Sequence, residues 1–134
     1  MSAGERFFDT NILLYLFSGN DVRADRAEEV LAEGGVISVQ VLNEFASVAS
    51  RKLGMSIAEI RESLSVIRGV CKVVPITEET HDSALQVAER YGLSIYDAMI
   101  VASALRAGCG TVLSEDMQEG LIVNGQMAIR NPFA

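Results

Sequence analysis

Asp97 is the only charged residue between Arg90 and Arg106, and it lies in the apolar stretch 93–105. A lone carboxylate in such a stretch costs free energy unless something pairs with it, and no lysine or arginine is close by in sequence. Three further acids occupy comparable places. Asp9 follows the apolar pair Phe7 and Phe8, Glu44 lies on an apolar helical stretch, and Asp116 comes just after Val112, Leu113 and two more residues. Two carboxylates that share a site repel, and one takes up a proton near neutral pH unless a cation lies between them. Mg²⁺ or Mn²⁺ meets that need, because a hard ion prefers oxygen ligands and takes one or two carboxylates plus waters. Such an ion supplies a nucleophile from water and stabilises charge on a phosphoryl oxygen. Acids with no other catalytic group beside them therefore point to phosphodiester hydrolysis. Thr10, Asn11 and Ser114 are neutral neighbours able to orient the carboxylates by hydrogen bonding.

Each acid also has a plainer reading. Asp9 can be a helix N-cap, Asp116 a turn residue, and Glu44 a solvated helix residue beside the apolar stripe. Asp97 stands three residues after Ser94, the spacing of a capping box. What favours chemistry is the position that all four share.

That position follows from the elements around them. Short runs rich in β-branched or aromatic residues predict strands over 6–8, 36–39, 72–74 and 111–114. A weaker pair, 121–123 and 127–130, flanks Asn124-Gly125, a good hairpin turn. Helical patterns fall between them: 11–17, then 21–32 with Val22, Ala27, Val30 and Leu31 on one side, stopped by Gly34-Gly35. Residues 41–53 follow, with apolar Val41, Leu42, Phe45, Val48, Ala49 and Leu53 near a 3.6 period, and Gly54 as the stop. Ser56 with Glu59 caps 57–67, Thr77 caps 78–91, and Ser94 caps the helix that holds Asp97. Strands alternating with helices predict an α/β fold, a three-layer α/β/α sandwich around a mainly parallel sheet. Ligands bind such sheets beyond the carboxyl ends of the strands, where Asp9, Glu44, Asp97 and Asp116 all fall.

At 134 residues and 49% hydrophobic content, the chain reads as one domain over residues 1–134 with a real core. The apolar runs are too short to span a bilayer, and residues 1–6 do not look like the start of a signal peptide. Cys71 and Cys109 have no paired spacing and read as inert thiols of a reduced, cytoplasmic chain. One histidine, His81, and two distant cysteines nearly exclude a nitrogen–sulfur zinc site. A net charge of −7 argues against non-specific nucleic-acid binding, which needs clustered positive charge. Arg51 lies seven residues after Glu44, on the same helix face. It and Lys52 are the candidates for gripping phosphates; the plainer reading is a basic helix end complementing the dipole.

Phe8-Asp9-Thr10-Asn11-Ile12-Leu13, then Asn43-Glu44, then Tyr96-Asp97-Ala98, then Leu113-Ser114-Glu115-Asp116, in this order and at these separations, resemble a PIN domain over essentially the whole chain. The closing Asn131-Pro132-Phe133 also resembles small bacterial members. The similarity is greatest to the VapC-type toxins of bacterial toxin–antitoxin pairs. The resemblance implies a sheet of four or five parallel strands, a Mg²⁺- or Mn²⁺-dependent ribonuclease, a homodimer, and a small antitoxin that blocks the site. It carries the acidic quartet onto Asp9, Glu44, Asp97 and Asp116, and the following polar pair onto Thr10 and Asn11. Ser114 stands where the family has Thr or Ser, and Glu115 is at most an auxiliary. Part of the run Ile12, Leu13, Leu14, Leu16 and Phe17 is a candidate antitoxin groove, against its plainer reading as core.

Other classes fit less well. A phosphatase of the haloacid dehalogenase type also begins with Asp after a strand but needs a second Asp where this chain has Asn11. A receiver domain needs a mid-chain Asp ending a strand and a late strand-terminal Lys, and neither is evident. A PIN fold kept only as a nucleic-acid- or protein-binding module is the remaining alternative, disfavoured by the intact quartet.

Overall fold

The computed structural model describes residues 5–134. The reading of the N-terminal segment falls largely on residues 1–4, outside the described residues. Among the described residues, six strands form one sheet in the order β3-β2-β1-β4-β6-β5. They are β1 (Arg6–Phe8), β2 (Gly35–Ser38), β3 (Cys71–Val74), β4 (Thr111–Leu113), β5 (Ile122–Val123) and β6 (Met127–Arg130). The first four and β6 run parallel; β5 pairs antiparallel with β6. The five parallel strands agree with the four or five expected, and the weaker run over 121–123 adds an antiparallel edge strand. That strand is the short β5, returned by a three-residue turn over 124–126 in which Asn124 and Gly125 both have positive φ, 52° and 66°, as the central residues of a type I′ turn do.

Adjacent strand residues point to opposite faces. Phe7 and Phe8 in β1, Val36 and Ile37 in β2, and Val112 and Leu113 in β4 are nevertheless all buried. Both faces of the sheet are therefore covered, which makes the three layers expected of a mainly parallel sheet. The covering helices are α1 (Thr10–Leu14), α2 (Asp21–Ala32), α3 (Val39–Lys52), α4 (Ile57–Val70), α5 (Glu78–Tyr91) and α6 (Ile95–Arg106). A 3₁₀ turn, Tyr15–Phe17, extends α1.

Local capping chemistry sets most boundaries. Ser56 and Glu59 form a full capping box on α4, and Thr77 caps α5, with Thr80 completing the box. Ser38 Oγ accepts from the Val41 amide, so α3 begins at Val39 rather than at 41, and the residue expected to end β2 is helical. The helix α4 runs three residues past 67, directly into β3. Val22 is 80% exposed, so the buried side of α2 is Ala27, Val30 and Leu31 without it. Ile12 and Leu13 are fully buried and belong to the core rather than to any groove. Cys71 and Cys109 are free and buried, and His81 is exposed. Among the described residues, no helix is long and apolar enough to cross a membrane.

Candidate active site

The register of the central strands positions the first acid. Phe8 pairs with Leu113 across β1 and β4, so the next residues, Asp9 and Ser114, emerge side by side at the carboxyl edge. The Asp9 amide donates to the Leu113 carbonyl at 3.0 Å. Ser114 is fully buried and its Oγ donates to Asp9 Oδ2 at 2.8 Å, while Asp9 Oδ1 accepts from the Thr10 amide at 2.8 Å. Asp9 is thus the N-cap of α1, as its plainer reading held. It is also tied by its second oxygen to a strand remote in sequence, which capping alone does not require.

The other acids are tied to the same segment. Thr10 Oγ1 donates to Glu44 Oε1 at 3.1 Å, and Gln40 Nε2 donates to the same oxygen at 3.2 Å. Glu44 is therefore half-buried and held rather than free in solvent. Asn11 Nδ2 donates to Asp116 Oδ2. Asp97 lies in the first turn of α6, where its amide donates to Ser94 Oγ at 3.2 Å. Among the described residues its carboxylate makes no return bond to the Ser94 amide, so the capping box is half formed.

The charges of the four acids reach one another. Burial pushes the Asp9 carboxyl up to about 6, opposed by the hydrogen bonds from Ser114 and Thr10 and reinforced by the charges of Asp97 and Asp116. Burial also raises Asp97, followed by the charge of Asp116; the Ser94 hydroxyl opposes this and Glu44 adds to it. Asp97 is the electrostatic neighbour of all three others. Among the described residues, no three histidine, cysteine, aspartate or glutamate side chains stand close enough to make a ready cage for a metal ion. Mg²⁺ does not need one, since it binds through one or two carboxylates and keeps several waters. An all-oxygen set with one buried, strained carboxylate fits that mode.

A stability trend follows from Asp9. Its folded pKa, about 6, exceeds the ordinary carboxyl value of 3.8, so the folded state binds the extra proton between these values. In chelator, the stability this group contributes should therefore be full below pH 3.8 and be lost as pH rises through 6, by about 2–3 kcal/mol. Urea midpoints measured from pH 4 to 7.5, with Asp9→Asn as the control lacking that slope, check it. Equal slopes in both proteins would refute it.

Two features were not legible in the sequence. Glu115 turns away from the quartet: Tyr15 Oη donates to its Oε1 at 2.5 Å, and Arg23 pairs with its Oε2. The Arg23 guanidinium lies over the rings of Tyr15 and Phe133, each 5.0 Å away. Both oxygens of Glu115 are thus engaged in a clamp that anchors the loop carrying Asp116. The second feature is Gln40, which also donates to the Tyr96 carbonyl at 3.2 Å and so joins α3 to the start of α6. Its spacing of one turn before Glu44 was the available signal; nothing local links Arg23 to Glu115. Arg51 and Lys52 are exposed on the last turn of α3, and Arg51 Nε donates to Ser47 Oγ at 3.3 Å. Arg51 shares the face of Glu44, two turns or about 10 Å further along the helix, so neither basic residue joins the quartet.

A sequence model of the PIN domain matches residues 6–118. The chain belongs to the PIN domain family. No curated protein matches it by sequence. Three solved PIN-like structures share its fold at low identity. A toxin–antitoxin complex from Klebsiella pneumoniae is 20% identical with a TM-score of 0.73, covering 96% of this chain and 98% of that one. The sarcin–ricin-loop-cleaving toxin VapC20 of Mycobacterium tuberculosis is 20% identical with a TM-score of 0.69, covering 84% and 90%. VapBC2 of Rickettsia felis, bound to a promoter DNA fragment, is 16% identical with a TM-score of 0.67, covering 94% and 97%. The PIN match includes all four acids and stops just after Asp116.

Proposed function

We propose that this PIN protein is a Mg²⁺- or Mn²⁺-dependent endoribonuclease, the toxin of a type II toxin–antitoxin pair. The observation that carries the reading is the tying of acids from distant segments to one sheet edge. Thr10, Asn11 and Ser114 bond to Glu44, Asp116 and Asp9 respectively, with Asp97 in range of all three charges. The family match and the toxins among the similar structures support it.

In this reading Asp9, Glu44, Asp97 and Asp116 hold the divalent ion directly or through its waters. The ion, when bound, supplies an activated water and neutralises charge on the phosphoryl group. Ser114 and Thr10 fix the Asp9 carboxylate, Asn11 fixes Asp116, and Gln40 fixes Glu44, so their geometry is set before substrate arrives. Arg51 and Lys52 meet RNA phosphates further along α3. The working form is a homodimer of one PIN-like domain per chain, in the cytoplasm, with a small antitoxin that covers the acidic edge. The alternative is a PIN module that binds nucleic acid or protein without cutting; the lack of a three-acid cage among the described residues is what would favour it. A Mg²⁺-dependent phosphatase ranks below both, because the residue two after Asp9 is Asn11.

The test is purified protein with a structured RNA, in Mg²⁺, Mn²⁺ or excess chelator. Cleavage with either metal and none in chelator is expected. RNA bound but left intact under all conditions would establish the binding module instead. A small reading frame just upstream in the genome is the expected antitoxin.

A further inference from the structure

Beside the acidic edge, α3, the loop after β3 and the first turn of α6 enclose an open cleft of about 410 Å³ that shares Glu44 with the quartet. Val39, Ile76 and the ring of Tyr96 give it apolar walls, and Gln40 and Asn43 add side-chain amides. Among the described residues, no arginine or lysine lines it. Tyr96 immediately precedes Asp97 and is 68% exposed, although seven consecutive residues from Ala98 to Ala104 are buried behind it. A large ring left uncovered at the mouth of a site presents a flat stacking surface. Gln40 spends its amide protons on Glu44 Oε1 and the Tyr96 carbonyl, which fixes the cleft wall and leaves its carbonyl oxygen as an acceptor. The Asn43 amide is exposed and offers both donor and acceptor.

These features select an occupant by charge. With Glu44 at its rim and no cation in its lining, the cleft repels a phosphate. It suits a flat, neutral group with hydrogen-bonding edges. Unpaired RNA bases are bound in this way, stacked on aromatic side chains and read along their edges. We propose that the cleft holds an unpaired nucleobase of the RNA next to the phosphodiester that is cut, stacked on Tyr96 with Asn43 reading its edge. The inference rests on the ribonuclease reading and specifies its substrate as single-stranded at that position.

The test uses the Asp9→Asn protein, to block cutting, and a short fluorescein-labelled single-stranded RNA that the parent protein cleaves, with an abasic ribose placed at each position in turn. One position adjoining the cut should weaken binding about tenfold when abasic. Tyr96→Ala should weaken the intact RNA by a similar factor and become indifferent to that abasic site, and Tyr96→Phe should recover most of the affinity. Asn43→Ala should alter base preference at that position alone. In the cleaving protein the Tyr96→Ala loss should fall in KM rather than kcat. If no abasic position matters, or Tyr96→Ala keeps the parent's sensitivity to it, the cleft is not a base site even though the protein cuts RNA. If the parent neither binds nor cuts any RNA, the ribonuclease reading falls, and the base site with it.

Discussion

Asp9→Asn should lower RNA cleavage by roughly a thousandfold, about 4 kcal/mol of lost transition-state stabilisation, while making the protein more stable in chelator. Both effects come from one charge. Asp9 is buried, and its carboxyl is pushed up to about 6 by that burial and by Asp97 and Asp116. In the absence of a cation at neutral pH the ionised group works against folding. The neutral amide is nearly isosteric and can keep the Thr10 amide bond through its oxygen; the Ser114 hydroxyl, which now donates to Asp9, can rotate to accept instead. Removing the charge should raise the melting temperature by about 5 °C or more in chelator. Adding Mg²⁺ should stabilise the parent protein and leave the variant little changed, since a ligand that binds only the folded form raises its stability. Asp97→Asn should move both quantities in the same directions. Scanning calorimetry and a gel-based cleavage assay read the two effects. Unchanged or lower stability in both variants would show that the acids do not crowd one another.

Gly35→Ala should cost about 3 kcal/mol of stability, although alanine is ordinarily the better residue in a strand. A Cβ at Gly35 would stand 2.5 Å from Phe8 Cε2 and 2.6 Å from the Arg6 carbonyl oxygen. The ring of Phe8 is fully buried and the Arg6 guanidinium sits over it, 5.5 Å from its centroid. The ring has nowhere to go, and the carbonyl is backbone. Making room means parting β1 from β2 beside the residue that carries Asp9. Gly54→Ala is the control: its φ is +64°, but nothing lies within 4 Å of the added carbon, so it pays only backbone strain of about 1 kcal/mol. Urea midpoints of the two variants compare the costs directly, and a Gly35→Ala protein no less stable than Gly54→Ala would refute the steric account.

That glycine illustrates what the sequence could and could not reveal. Gly34-Gly35 reads as a helix stop, and Gly34, with φ of +77°, fills that role; the need for Gly35 comes from a ring on another strand. Signals carried within four residues were readable. The Ser56 and Glu59 box, the Thr77 cap and the Asn124-Gly125 turn all stand where local chemistry put them. The strand ends were readable to within one residue, β2 and β4 each ending one residue early, and this was enough to place the acids at the carboxyl edge of the sheet. Signals that depend on tertiary packing were not readable. The start of α3 was missed because Val39 is β-branched and reads as the end of the preceding strand. The exposure of Val22, the Tyr15–Glu115–Arg23 clamp and the Gln40 bridge to Tyr96 depend on contacts between segments far apart in the chain.

Two ties close the site across the seam between β1 and β4: Ser114 to Asp9 and Asn11 to Asp116, each spanning 105 residues. Synthesis at about 5–20 residues per second leaves on the order of ten seconds between the emergence of the two halves. During that interval the central strand has one bare edge, open to chaperones or to wrong pairing. Its carboxylate has not yet met the serine that orients it. A chain cut short before residue 111 lacks Ser114 and Asp116, and with them both ties.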